Sequence, residues 1–298
     1  LGNLGPEAAL PVMEGKAMLM ETLVGLSGMP ILLNTKDTDQ IVQAVATIAP
    51  TFSAIQLEDI SAPRCFEVEE RLQAMLDIPV MHDDQHGTAV VSTAALKVIA
   101  RRAGVDIGKV VIGQIGLGAA GQAIAKMLMS LTGNPVLGAD LSEEAMGRFE
   151  RGGGKRSNLK EIMSECEIVI ATTGVPELIK PEMVRKGQVI LALSNPKPEI
   201  DPDVALERGA VFAADGKSVN NVMGFPGIFR GAVDSRAPRI THEMLIAAVD
   251  VLVRMTPSEE LMPNPLDKKV HLEVARAVAE TAIKQGIARA EYIPYVEE

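Results

Sequence analysis

The segment KVVIGQIGLGAAGQAIAKMLMSL, residues 109 to 131, constrains the fold more than any other part of the chain. An apolar run leads into Gly116-Leu117-Gly118-Ala119-Ala120-Gly121, and apolar residues at helical spacing follow at once. In a strand–turn–helix unit of this kind the first glycine makes the tight turn. The second lets a pyrophosphate approach the backbone, and the third lets helix and strand pack closely. The helix N-terminus then offers N–H groups and the positive end of its dipole to phosphate. Asp140 closes the next apolar run, PVLGAD, where a carboxylate would bond the adenosine ribose 2′-hydroxyl and repel a 2′-phosphate. A glycine turn needed only for packing is the alternative. Strand, helix and terminal acid together favour a dinucleotide, and NAD over NADP, although Arg148 lies close in sequence to that position.

The same alternation extends in both directions. Upstream, MPILLN (29–34), AIQLED (54–59) and PVMHDD (79–84) read as short buried strands, separated by helical patterns in DTDQIVQAVATIAP and VEERLQAML. A first helix is predicted from Pro11 to about Val24, and another over 88–104, stopped by Gly104. Downstream, SNLKEIMSE reads as a helix, and CEIVIATTG and QVILALSNP as strands. GGGKRS (152–157) reads as a flexible surface loop. From about Thr241 to the end the pattern is helical, with one proline-rich break at MTPSEELMPNPLD. Alternating strands and helices imply a largely parallel α/β sheet.

Composition narrows the classes of partner. A formal charge of −10 excludes a broad basic surface for nucleic acid or anionic membrane, and no stretch approaches the length of a bilayer span. Two isolated cysteines, Cys65 and Cys166, form neither a disulfide framework nor a metal spacing, so a cytoplasmic location is expected.

Two acid pairs, Glu58-Asp59 and Asp83-Asp84, end predicted strands. Ligands of open α/β sheets sit beyond such ends, so the pairs could meet around Mg²⁺ or Mn²⁺. Helix capping explains Asp83 and Asp84 equally well, and a solvated turn explains Glu58-Asp59. His82 and His86 straddle a strand-to-helix junction, which argues against a zinc face, and His242 and His271 are expected at the surface. Lys16 lies in an apolar helical stretch. Either burial lowers its pKa towards that of a general base, or its stem covers apolar surface with its head in water. Asn195, Asn220 and Asn221 follow apolar runs and suit either a substrate carboxylate or nicotinamide, or ordinary turns.

Taken together, LGNLG, PVMEGKA, QLEDISAPRCFE, HDDQHGTA, GLGAAG, ALSNP and NNVMGFPGIFRGA occur in the order and approximate spacing of the malic enzyme family. The likeness covers nearly the whole chain and most resembles the small bacterial NAD-dependent members. The resemblance implies a parallel-sheet catalytic domain remnant over 1–86, a Rossmann-type NAD-binding domain over 87–223 and C-terminal helices over 224–298. It implies oxidative decarboxylation of L-malate to pyruvate and CO₂ with NAD, in a homodimer or tetramer. Lys16 then matches the catalytic lysine and Asp83 its supporting acid, while Glu58, Asp59 and Asp84 match the metal ligands. Gly116, Gly118, Ala119, Ala120, Gly121, Asp140, Asn195 and Asn220 match the cofactor site, and Asn195 and Asn221 contact substrate. The family also uses a tyrosine acid and an arginine that belong upstream of Leu1. The chain is therefore expected to be N-terminally incomplete, and as it stands to turn over poorly. A malolactic enzyme forming lactate, or a non-catalytic NAD-binding fragment, are the other readings.

Overall fold

The computed structural model describes residues 5–219 and 221–295. In chain order the elements are α1 (Pro6–Val24), α2 (Thr38–Ile48), β1 (Ile55–Leu57), α3 (Arg64–Met75), β2 (Val80–His82) and α4 (Asp83–Ala103). Then come β3 (Ile112–Ile115), α5 (Ala119–Thr132), β4 (Leu137–Ala139), α6 (Glu143–Arg151), β5 (Lys155–Arg156), α7 (Leu159–Glu165) and β6 (Ile168–Ala171). The last group is β7 (Val189–Ala192), α8 (Pro202–Glu207), β8 (Phe212–Asp215), α9 (Pro226–Asp234), α10 (His242–Met255) and α11 (Lys268–Lys284). The α/β class expected from the alternation is the class observed.

The chain divides into two compact units, one of Leu1–Val90, Asn221–Met255 and Pro263–Glu298, the other of Val91–Asn220 and Thr256–Met262. In the first, β1 and β2 pair in parallel, and Ile41, Val42, Val45, Leu57, Val68, Leu72 and Val80 from α2, α3 and the strands make a core. The chain later returns to this unit as α9, α10 and α11. Close contact between α9 and α11 depends on Gly227 and Gly231. A Cβ on Gly227 would lie 2.5 Å from the His271 carbonyl oxygen, and one on Gly231 would overlap the Ala275 carbonyl. The α9 helix is buried along most of its length, and its one polar edge is the i,i+4 pair Arg230–Asp234.

The second unit is a six-stranded parallel sheet in the order β5-β4-β3-β6-β7-β8. Strand order reverses between β3 and β6, the arrangement of a Rossmann sheet. Each of β3, β6 and β7 is buried throughout, which explains the unbroken apolar runs of β6 and β7. In β3 the buried Gln114 donates through its Nε2 to the Ile115 and Gly116 carbonyls and to the Thr172 hydroxyl.

Several sequence expectations are corrected. The first helix begins at Pro6, not Pro11, because Pro6 takes the N1 position and Pro11 lies within the helix. MPILLN forms no strand; the only strand pairing in the first unit joins β1 to β2 among the described residues. GGGKRS is not a free loop. Lys155 and Arg156 form β5, with Lys155 N–H bonded to the Val136 carbonyl at 2.9 Å, and Arg156 pairs with Glu143 and Glu150. Helix α4 starts at Asp83 rather than 88, an additional helix α9 precedes Thr241, and the last helix ends at Lys284 rather than at the terminus. His271 is fully buried, its Nε2 2.8 Å from the Pro265 carbonyl oxygen. No helix among the described residues is long and apolar enough to cross a membrane.

Overpacking at the α9–α11 crossing has a measurable consequence. Gly231→Ala is expected to lower the stability of the chain by about 1–3 kcal/mol, read as an earlier midpoint in urea unfolding.

Candidate active site

The register of the two-stranded sheet assembles the acids. Leu57 pairs with His82, so the residues that follow, Glu58-Asp59 and Asp83-Asp84, leave the sheet at the same carboxyl edge. Asp59 takes a positive φ of 55°, and its N–H bonds to Asp84 Oδ2 at 2.9 Å. A non-glycine residue held in that region is uncommon and concentrates at functional sites. Asp83 opens α4 with a fully buried side chain. A Cβ on Gly87, one turn on, would overlap the Asp83 carboxylate, so the glycine makes room for it.

Lys16 reaches this edge from α1. Its Nζ forms an ion pair with Asp83 Oδ2 and a second with Glu58 Oε1 at 3.2 Å, and lies 4.3 Å from the centroid of the Phe225 ring. Asn221 Nδ2 also donates to Asp83 Oδ2, at 3.2 Å. The expectation that burial lowers the Lys16 pKa is overturned. Burial does pull it down, but the charges of Asp83 and Glu58 outweigh that effect and raise it above its ordinary value. Glu58 is pushed up to about 8, first by burial and then by the charge of Asp83, with Lys16 opposing and Asp84 adding. Asp59 is raised too, by burial and then by the charge of Asp84.

The structure therefore brings Lys16, Glu58, Asp59, Asp83, Asp84 and Asn221 together. It does not present a finished ligand set: among the described residues no three His, Cys, Asp or Glu side chains are grouped so as to hold a metal ion. Glu58 faces Lys16 and Gln56, and Asp84 faces His82 and the Asp59 backbone. The donor chemistry nevertheless fits a divalent cation. Glu58, Asp59 and Asp84 are hard oxygen donors crowded at one strand edge, and burial and mutual repulsion push Glu58 and Asp59 upward. A dication at that edge would relieve both.

Beneath the acids lies a residue that the sequence reading missed. Glu69 of α3 is almost wholly buried. Its Oε1 accepts the His82 N–H at 2.7 Å, and its Oε2 accepts from Gln85 at 3.1 Å and lies 3.0 Å from His86 Nε2. The two histidines thus serve the β2–α4 junction rather than a zinc ion. Nothing in the stretch VEERLQAML distinguishes Glu69 from its acidic neighbours except its place on the buried face of α3.

In the second unit, Gly116 has φ 86°, and a Cβ there would lie 2.7 Å from the Thr172 carbonyl oxygen. A Cβ on Gly121 would overlap the Gly116 carbonyl, whereas one on Gly118 would face open space. These are the turn, packing and approach roles that the motif calls for. Ala119 and Ala120 open α5, whose N-terminus has no side-chain cap. Asp140 Oδ2 accepts the Leu117 N–H at 2.6 Å, and Oδ1 accepts that of Ser142 at 2.8 Å, so this acid also braces the turn. Asn195 is exposed just beyond β7, and Asn220 lies outside the described residues.

With this geometry in view, comparison with known proteins is direct. Residues 1–73 match the family model "Malic enzyme, N-terminal domain". The "Bifunctional malic/malolactic enzyme" of Bacillus subtilis is 42% identical over 97% of this chain and 77% of its own length. The chain belongs to the malic enzyme family. "NAD-dependent malic enzyme 1" of the same bacterium is 57% identical over 95% of this chain, which spans 65% of that relative's length. The crystal structure of malic enzyme from Pyrococcus horikoshii Ot3 matches with a TM-score of 0.90 at 37% identity, over 98% of this chain and 75% of that one.

Glu69 gives this family member a testable acid-side signature. Burial pushes its carboxyl up, but the hydrogen bond and charge of His86 and the His82 N–H outweigh burial and hold it below 4.5. A depressed folded-state pKa contributes stability above the unfolded value and loses it as pH falls through the folded one. Glu69→Gln is therefore expected to cost stability at pH 6–7, with the difference from the parent chain shrinking below about pH 4.5 in urea unfolding at a series of pH values.

Proposed function

We propose that the chain carries the catalytic core of an NAD-dependent malic enzyme, which oxidises L-malate at C2 and releases CO₂ and pyruvate. The observation that carries this reading is the buried Lys16–Asp83–Glu58 cluster at the carboxyl edge of β1 and β2. It places one primary amine beside a group of acids suited to a divalent cation. The 57% identity to a relative named as NAD-dependent malic enzyme supports it further, as do the open approach at Gly118 and the acid at Asp140.

In this mechanism Lys16 Nζ takes the proton of the substrate 2-hydroxyl as the C2 hydrogen leaves as hydride to NAD. The resulting 3-carboxyl-2-ketone then loses CO₂, and the enolate that remains gains one proton at C3 to give pyruvate, which balances the proton taken by Lys16. Asp83, fully buried, orients the amine and holds the proton it has gained. Asn221 donates to the same Asp83 oxygen that pairs with Lys16, and the rest of its amide is left to bond substrate. Phe225 excludes water from the amine. Glu58, Asp59 and Asp84 would hold Mg²⁺ or Mn²⁺, which supplies Lewis acidity toward the substrate oxygens. Because Glu58 and Asp83 now keep Lys16 cationic, it acts as a base only when those acids share their charge with another partner.

The test is the rise in NADH absorbance when L-malate, NAD and Mn²⁺ are supplied to this chain and, in parallel, to a form extended to the length of its relatives, of which it spans 65% in one case. Turnover is expected with Mn²⁺, to fall to background with EDTA and to return when the metal is restored. NAD binding with no turnover under those conditions refutes the enzymatic reading. Lys16→Ala should lower kcat at least about 10³-fold while NADH affinity stays within a few-fold; retained turnover removes the lysine from the mechanism. The 42%-identical relative named as malic and malolactic supports a second outcome, lactate. Accumulated pyruvate with stoichiometric NADH excludes it, and lactate without free NADH establishes it.

A further inference from the structure

Glu199 lies between β7 and α8 and has no exposed surface. It lies just beyond the ALSNP motif, bonds to Ser194 within it, and its partners come from the ends of two strands. Its Oε1 accepts the Thr173 N–H at 2.6 Å, the Thr173 hydroxyl at 2.8 Å and the Ser194 hydroxyl at 2.5 Å. Its Oε2 accepts the Ser194 N–H at 3.4 Å. Ser194 Oγ in turn accepts the Gly174 N–H at 2.8 Å. One buried carboxylate thus ties the loop after β6 to the loop after β7, and a buried charge is tolerated only with such a full set of donors.

Those two loops face a particular half of a dinucleotide. Strand order reverses between β3 and β6, with the phosphate turn at the end of β3 and Asp140 at the end of β4. A dinucleotide laid across that crevice places its adenosine over β3 and β4 and its other nucleoside over β6 and β7. Thr172 connects the halves, since its Oγ1 donates to the Gly116 carbonyl at 3.2 Å. The exposed tips are Gly174 and Asn195, each next to a residue that Glu199 grips.

We infer that Glu199 is a positioning residue for the nicotinamide half of the cofactor, holding the Thr173-Gly174 and Ser194-Asn195 loops in the geometry that receives it. This rests on the dinucleotide reading of the second unit. Glu199 touches no ligand itself; it acts through the loops. Removing it frees two hydroxyls and two backbone N–H groups at the β6 and β7 edge while leaving the phosphate turn, α5 and Asp140 untouched.

The experiment compares NADH with ADP-ribose, which keeps the adenosine and both phosphates but lacks nicotinamide. Binding of each is measured by calorimetry to the parent chain and to Glu199→Ala and Glu199→Gln. Glu199→Ala is expected to weaken NADH about tenfold or more and to leave ADP-ribose within about twofold. Glu199→Gln keeps one acceptor oxygen for the three shortest bonds and should restore NADH to within about threefold of the parent. Where Glu199→Ala does not fold, Thr173→Val and Ser194→Ala each remove one hydroxyl donor and should weaken NADH alone, by about threefold. Equal losses for the two ligands, or none, in the variants that fold overturn the inference while the dinucleotide reading stands. A parent chain that binds neither ligand overturns both.

Discussion

Asp83 has a side chain with no exposed surface, and its Oδ2 draws three parts of the chain to one point by accepting from both Lys16 and Asn221, while Oδ1 has no hydrogen-bond partner among the described residues. Lys16 arrives from α1 and Asn221 from the turn before α9, while Asp83 itself opens α4. These residues are 67 and 138 positions from Asp83, so the charge cannot be buried until distant segments have packed. Removing one partner of such a pair leaves an uncompensated charge, which costs far more than the pair itself contributes. The cluster is therefore both the chemical feature of the first unit and a condition on its folding.

The same device recurs at other strand ends. Glu69 braces the junction of β2 and α4 by accepting the His82 N–H, and Asp140 braces the glycine turn by accepting that of Leu117. Glu199 braces the ends of β6 and β7. Parallel strands as short as three or four residues give way to loops abruptly. The first N–H beyond β3, β6 and β7 still bonds to a neighbouring strand, and the next one, on Leu117, Thr173 or Ser194, is taken by a carboxylate. Such an acid supplies the acceptor without occupying the carboxyl edge, so the edge stays free for ligand.

Much of this was legible in the sequence because it depends on local order. The strand–turn–helix around Gly116, the terminal acid Asp140 and the paired acids after two apolar runs are contiguous patterns, and each lies where the pattern placed it. What was not legible depends on tertiary context. MPILLN has the composition of a buried strand but pairs with no strand among the described residues, and the glycine-rich GGGKRS gains order from pairing with β4. The crossing of α9 and α11 is fixed by glycines whose purpose appears only against the His271 and Ala275 carbonyls. Glu69 and Glu199 look like ordinary surface acids until their partners are known.

Lys16 shows why a residue type in an apolar stretch does not determine its chemistry. Taken alone, burial favours the neutral amine, and a lysine on an apolar helix face reads as a lowered pKa. The register of β1 and β2 adds two carboxylates that such a reading does not contain, and their charges reverse the sign. The amine and its acids are thus a single charged unit. Whatever neutralises Glu58 and Asp83 removes what holds the proton on Lys16, leaving burial to act in the opposite direction. In the mechanism proposed for this site, occupancy of the acids and basicity of the lysine are two consequences of the same event.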